Sequence, residues 1–157
     1  LSKFIDSSSV PILSTEAGLQ YPAEVNRRQY RPLVLQAAKL TGLKPKLIEV
    51  VIKIESNWRV DAVSQKGAQG LMQLMPETAR RYGAVSPFDP RQNILAGARY
   101  LRDLLDLFKW DLPMAIAAYH AGHNRVLREG RIPNIKATKT YVEAVMKDYR
   151  APALQYN

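Results

Sequence analysis

The stretch Pro45-Lys-Leu-Ile-Glu-Val-Val-Ile-Lys-Ile-Glu-Ser-Asn-Trp58 decides how the chain is read. As a helix it places Leu47, Val51, Ile54 and Trp58 on one stripe, at the i, i+4, i+7, i+11 spacing of a buried face. Glu55 falls on that stripe, one turn past Val51. Glu49 falls on the far side with Lys46 and Lys53, and Lys53 is its i+4 partner. Two glutamates of one helix therefore have opposite expectations. Glu49 is expected to be solvated. Glu55 is expected at the end of an apolar ridge, where the helix runs out into Ser56-Asn57. A carboxyl held against apolar surface ionises less easily, so its pKa climbs from about 4.3. Such an acid can keep a proton near neutral pH and donate it to a leaving group. The competing reading is a buried glutamate tied up by an arginine or by backbone amides, with no chemistry.

Upstream, residues 1–26 carry Ser7-Ser-Ser9, Pro11, Gly18 and Pro22 with no sustained period, and read as an irregular lead-in to a domain over 27–157. A first helix is expected from near Pro32, with Leu33, Gln36, Ala37 and Leu40 continuing it and Thr41-Gly42 stopping it. Downstream, residues 59–70 read as loop or short hairpin, with Gly67 and Gly70 permitting tight turns. Pro76 opens a short helix through Tyr82. Asp89-Pro90 pairs an N-cap acid with proline at the first helical position. The helix it opens, to about Lys109, has Ile94, Ala98, Leu101, Leu105 and Phe108 as its core stripe, with Arg99–Asp103 and Arg102–Asp106 as outward pairs. Asp111 caps a short helix ended by Gly122, and a last helix runs from about Thr138 to Tyr149. The fold class is α+β, predominantly helical, with at most a small hairpin between 59 and 75.

Composition sets further bounds. A chain of 157 residues with 46% hydrophobic and 24% charged residues suits one domain with one core. It has no cysteine, which removes disulfides, thiolate metal sites and a cysteine nucleophile. Two histidines, His120 and His123, are too few for a histidine-rich metal site. No apolar run approaches the ~20 residues that span a bilayer. A start at Leu1 suggests a processed or trimmed form. The net charge of +9 suits an anionic partner, yet the basic residues are scattered, as on an ordinary basic surface.

Two segments suggest a site. Gly67-Ala-Gln-Gly-Leu-Met-Gln-Leu-Met-Pro76 is too rich in glycine and amide for core. Gln73 could bind sugar hydroxyls or an acetamido group, between Met72 and Met75 as adaptable apolar walls. Ala117-Ala-Tyr-His-Ala-Gly122 puts a tyrosine near a helix end. Alone, each is better explained without a site: the first as a turn followed by a buried segment, the second as a core tyrosine with a satisfied hydroxyl.

Taken in order, the motifs form a series. It comprises Glu55-Ser56, Ala62-Val-Ser64, Gly67 to Ala79, Asn93-Ile-Leu-Ala-Gly-Ala-Arg-Tyr-Leu101, Ala117 to Gly122 and Thr140-Tyr-Val142. Over about residues 30–150 it resembles the catalytic domain of the soluble lytic transglycosylases of bacterial cell walls, relatives of goose-type lysozyme. The resemblance implies a lysozyme-like fold with a cleft and no cofactor or metal. It implies cleavage of the β-1,4 bond between N-acetylmuramic acid and N-acetylglucosamine in peptidoglycan, leaving a 1,6-anhydro end. It implies Glu55 as the single catalytic acid, and Ser64, Gln73, Met75, Tyr119, His120 and Tyr141 at the substrate, Tyr141 hydrogen-bonded to the acid. It further implies a bacterial, extracytoplasmic or periplasmic setting, with glycan strands as partner and cell-wall or secretion-machinery proteins as further candidates. A monomer is expected, and no recognised nucleic-acid motif is present, so no nucleic-acid partner is expected.

The chain departs from the family pattern twice. His120 stands where the family usually has asparagine, and Ala137-Thr138 where it usually has glutamate and threonine. Histidine brings a charge that titrates near physiological pH, and the lost carboxylate bears on how Tyr141 is held. The rival readings are a muramidase in which water attacks, a wall-binding module of a secretion or conjugation machine, and, more remotely, a nucleic-acid-binding module.

Overall fold

In a computed structural model the structure describes residues 23–152, together with the backbone of two short strands at 13–15 and 18–20. Those strands, β1 (Leu13–Thr15) and β2 (Gly18–Gln20), pair antiparallel with Leu13 opposite Gln20. Seven helices follow among the described residues: α1 (Ala23–Thr41), α2 (Pro45–Ser56), α3 (Pro76–Arg81), α4 (Pro90–Leu107), α5 (Leu112–Ala121), α6 (His123–Glu129) and α7 (Lys136–Arg150). α1 packs on α4 and α2, α2 packs on α7, and α5 packs on α4, α6 and α7. The core is continuous: Val34 and Ala37 from α1, Ile48, Val51 and Ile52 from α2, Ile94, Leu101 and Leu105 from α4, Ile116 from α5 and Val145 from α7. The architecture is the lysozyme-like one, mostly helical with very little strand.

The helix boundaries follow from end chemistry. Asp89 accepts the Gln92 N–H and Asp111 the Met114 N–H, so both acids cap as their positions predict. Gly42 ends α1 at φ 75°, with its N–H bonded to the Ala38 carbonyl. α2 opens on Pro45 at its first position, where a missing N–H costs nothing. α4 ends at Leu107, a little before the expected Lys109.

α1 is the main correction. It begins at Ala23, not near Pro32, so residues 23–26 of the expected lead-in are helical and Pro32 lies inside the helix. The first half of α1 is anchored by polar contacts rather than by an apolar stripe. Asn26, buried, donates its side-chain amide to the Trp58 carbonyl, and Arg31 pairs with Glu49 on α2. α6 was likewise unexpected. It is short, follows Gly122 directly, and buries only Val126.

The outward ion pairs were partly misassigned. Arg102–Asp106 forms, but Asp103 takes the Tyr82 hydroxyl instead of Arg99. Lys53 reaches across to Asp148 on α7 at 3.0 Å rather than back to Glu49.

Candidate active site

α2 carries its stripe as expected: Leu47 and Val51 are buried and Ile54 partly so. The helix stops at Ser56, two residues short of Trp58. Asn57 and Trp58 both adopt left-handed backbone, at φ 49° and 65°, which costs roughly 1–2 kcal/mol for each such residue. Burial of the indole to 3% exposure offsets that cost, and Asn26 holds the Trp58 carbonyl. The sharp exit leaves Glu55 on the last turn, at the mouth of the segment that follows. Ser56 fixes the two together: its Oγ lies 2.7 Å from the Leu71 carbonyl and 3.0 Å from that of Ile52.

The segment from 59 to 75 is a tight double turn. Val63 bridges Gln69, and Gln69 bridges Leu74. Asn93, fully buried on α4, organises it. Its Oδ1 accepts the Met72 N–H at 2.8 Å, and its Nδ2 donates to the carbonyls of Gln69 (3.0 Å) and Pro87 (2.7 Å). Gly70 approaches so closely that a Cβ there would meet Asn93 Nδ2 at 2.3 Å, and its φ of 79° disfavours other residues independently. A Cβ on Gly97 would meet Met72 Sδ at 2.4 Å. Met72 is therefore a fully buried core residue keyed to Gly97, not a wall of the cleft as its position suggested.

Beyond this turn opens a cleft of about 500 Å³. Gln73, Met75, Tyr119 and His120 line it, as do Glu77, Arg81, Tyr82 and Tyr100. Four of the expected site residues are thus brought together. Met75 is 43% exposed and forms an apolar wall. Gln73 sits at φ 51° and spends its amide donors on the carbonyls of Ala62 (3.0 Å) and Gly70 (2.9 Å). Its carbonyl oxygen is what it can offer a ligand. Tyr119 donates its hydroxyl to the Met72 carbonyl at 2.6 Å, so it contributes its ring rather than a free donor. Ser64 is absent from the lining; its Oγ accepts the Ala68 N–H at 3.0 Å and braces the loop.

Tyr82 and Tyr100 extend the aromatic wall, in a chain with Tyr119 at 5.3 Å between successive ring centroids. Neither was singled out in the sequence. The signal was faint: Tyr100 belongs to the Asn93–Leu101 motif, but only the fold shows which way it faces.

Glu55 and Tyr141 are not in this lining, but both interact electrostatically with Tyr119 of the wall. Glu55 keeps some exposed surface, by which a substrate can reach it, yet its carboxyl is largely desolvated. Burial raises its pKa from 4.5 to about 7, opposed only by the Tyr141 hydroxyl, which favours the charged form. No carboxylate and no cation contributes to that shift. Tyr141 is buried, and its hydroxyl lacks a partner of normal hydrogen-bond geometry among the described residues, so it faces Glu55 without a well-formed bond. Burial and the Glu55 charge push both Tyr141 and Tyr119 well above the usual phenol range, so both stay protonated.

His120, on the last turn of α5, stacks on Tyr141 with centroids 4.7 Å apart. Its Nδ1 lies 3.0 Å from Oγ1 of Thr138, a fully buried residue in the first turn of α7. Among the described residues no group of three or more His, Asp or Glu side chains could hold a metal ion.

A helical, lysozyme-like domain with one desolvated acid beside a tyrosine-walled cleft is the class that fold and site define. The model of the Transglycosylase SLT domain family matches residues 32–142, and the chain belongs to that family. It is 41% identical over 107 residues to a transglycosylase of Enterobacteria phage PRD1, covering 68% of this chain and 38% of that protein. It is 37% identical over 110 residues to membrane-bound lytic murein transglycosylase F of Methylobacillus flagellatus, covering 66% of this chain and 23% of the relative. Among solved structures it resembles the 70 kDa soluble lytic transglycosylase of Escherichia coli, with a TM-score of 0.69 and 29% identity over 76% of this chain and 23% of that one. An inactive glutamate-to-glutamine mutant of the lytic transglycosylase Slt of Pseudomonas aeruginosa matches with a TM-score of 0.68 and 31% identity, at the same coverage. The chain thus spans well under half the length of each of these proteins.

Proposed function

We propose that this domain is a peptidoglycan lytic transglycosylase that breaks the β-1,4 bond between N-acetylmuramic acid and N-acetylglucosamine. Glu55 acts first as acid and then as base. The observation that carries the reading is the setting of Glu55: desolvated, near half-protonated at neutral pH, and next to a hydroxyl instead of a cation. An acid with a pKa near the working pH can both give and recover a proton.

Most glycosidases pair two carboxyl groups. Among the described residues the one carboxylate that lines the cleft itself is Glu77, exposed in the first turn of α3 where the helix dipole favours it. A like charge close to Glu55 would add to its shift, and none does. Asp89 is occupied as a cap, and Asp61 is exposed. A one-acid site works if the substrate supplies the rest. Glu55 protonates the glycosidic oxygen as the C1–O bond breaks, and the acetamido oxygen stabilises the cation-like C1. The muramic C6 hydroxyl then attacks C1 while the Glu55 carboxylate takes its proton, closing the 1,6-anhydro ring and regenerating the acid. The tyrosine wall and Met75 offer flat apolar surface to sugar faces, and the Gln73 carbonyl accepts from a hydroxyl or amide. That one solved neighbour is an inactive glutamate-to-glutamine mutant fits a single decisive glutamate. On this reading the domain works outside the cytoplasm, on glycan strands.

Mass spectrometry of digested peptidoglycan tests this. The wild type yields anhydromuropeptides, and Glu55→Gln yields none while still binding sacculi. Anhydro products at wild-type levels from the mutant overturn the assignment. Reducing-end products from the wild type mean that water attacks, and binding without turnover means a wall-binding module.

A further inference from the structure

We propose that His120 is a positioning residue, a neutral imidazole that clamps the first turn of α7 and so holds the Tyr141 hydroxyl against Glu55. The inference rests on the reading of Glu55 as the catalytic acid. It concerns a residue at which this chain departs from the family pattern.

The geometry gives the ring two jobs. One face stacks on Tyr141, and Nδ1 meets Thr138 Oγ1 at 3.0 Å. Thr138 and Tyr141 are three residues apart on α7, so they occupy one side of its first turns. A single ring thus grips both, and ties the end of α5 to the start of α7. The tautomer follows from burial. Thr138 is 1% exposed, and His120 Nδ1 is the partner its hydroxyl has. A buried O–H without an acceptor is costly, so Thr138 donates and Nδ1 accepts. That puts the imidazole hydrogen on Nε2, the nitrogen left for the cleft that His120 lines. Protonating Nδ1 would reverse the bond and orphan the Thr138 hydrogen.

The charges around the ring favour the same state. Burial and the Lys66 cation lower the His120 pKa from 6.5. Tyr141 lies against it from α7, with Glu55 of α2 behind that phenol, and Tyr119 precedes it on α5. Glu77 and Arg81 of α3 and His123 of α6 share its cleft. While His120 stays neutral, the Glu55 carboxyl keeps its proton as burial dictates. Once His120 is charged, a cation stands one ring away, favours the carboxylate and weakens the acid.

Two measurements test this. ¹⁵N-resolved NMR of the imidazoles is independent of activity, and with only two histidines a His123→Asn variant assigns the spectrum. The expected result is the Nε2–H tautomer at neutral pH with a pKa below 6.5, rising by roughly half a unit in Thr138→Val, the size of one net hydrogen bond. An Nδ1–H tautomer, or a pKa that Thr138→Val leaves in place, overturns the clamp. The second measurement is turnover of soluble glycan strands against pH, with thermal midpoints recorded alongside. His120→Ala loses stack and bond and lowers kcat roughly tenfold at little cost in KM, as expected for a misplaced partner of the acid. His120→Asn can still accept from Thr138, recovers most of kcat, and abolishes the activity loss on the acid side. An acid limb unchanged in His120→Asn refutes the proposal. If Glu55→Gln proves as active as wild type, the reading of Glu55 falls instead, while the NMR result stands.

Discussion

Glu49 and Glu55 lie six residues apart on one helix, and the fold treats them in opposite ways. Glu49 points to α1, where Arg31 Nη1 approaches at 2.5 Å and Arg27 Nη2 at 3.6 Å. Its side chain is only 14% exposed, so the solvated fate expected for it is wrong. It is covered, but by guanidinium groups that compensate its charge. Glu55 faces Tyr141 of α7 and lies near Tyr119 of α5, so the fold supplies it with tyrosines and no cation. Burial alone does not make a reactive carboxyl; burial without an opposite charge does.

The largest expected effect breaks the comparison at the reactive end. If each of the two proton transfers contributes about 10²-fold or more, Glu55→Gln lowers turnover by at least roughly 10⁴-fold. Glu49→Gln should leave turnover within a few-fold. Equal losses from the two variants, measured as anhydromuropeptide release, would mean that the different settings of the two glutamates do not separate their roles.

Next comes stability against pH. The folded pKa of Glu55 is about 7 against 4.5 for the ordinary group, so the folded state binds more protons than the unfolded one between those values. Stability therefore falls as pH rises through that window, and the cost is fully present above about 7. At 1.36 kcal/mol per unit it reaches at most about 3 kcal/mol. Glu55→Gln removes the penalty: equal to wild type near pH 4, more stable at pH 8, with a flatter dependence. Thermal or denaturant unfolding across that range checks it, and a mutant that parallels the wild type at every pH denies the desolvation.

Tyr141→Phe sharpens the contrast further. The phenol favours the carboxylate, so its loss should move the alkaline limb of activity upward by roughly half a unit to one unit. Near pH 5, where Glu55 is protonated, stability should not drop, because the buried hydroxyl has no well-formed partner to lose. A limb that moves downward would show the phenol stabilising the protonated acid.

How much of this was legible in the sequence depended on the kind of force involved. Caps and apolar stripes are local, so Asp89, Asp111, Gly42 and the α2 and α4 faces could be read directly. The start of α1 could not, because its first half is secured by Asn26 on Trp58 and by Arg31 on Glu49, contacts to residues far along the chain. α6 has one buried residue and no period to detect. In the site, Glu55 was legible from its place on a stripe, and Met75, Tyr119 and His120 from motif order. Which groups were already occupied was not. Gln73 spends its donors on Ala62 and Gly70, Tyr119 its hydroxyl on Met72, and Met72 its side chain on Gly97. Each of those facts depends on how the 59–75 turn folds, on itself and against α4 and α5.

The smallest effect belongs to Glu49. Its arginines are 23% and 49% exposed, so solvent and salt screen the pairs, and the net worth of such pairs is about 1 kcal/mol or less. Glu49→Gln keeps the size and some hydrogen bonding but leaves two guanidinium groups facing a neutral amide. The loss should be modest and shrink at high salt, whereas the effect of Glu55→Gln changes most as pH rises from about 4.5 to about 7. Should Glu49→Gln instead destabilise by several kcal/mol whatever the salt, the α1–α2 ion cluster would be a buried network and not a screened surface one. The two glutamates would then differ only in whether an opposite charge stands beside them, not in how far water reaches them.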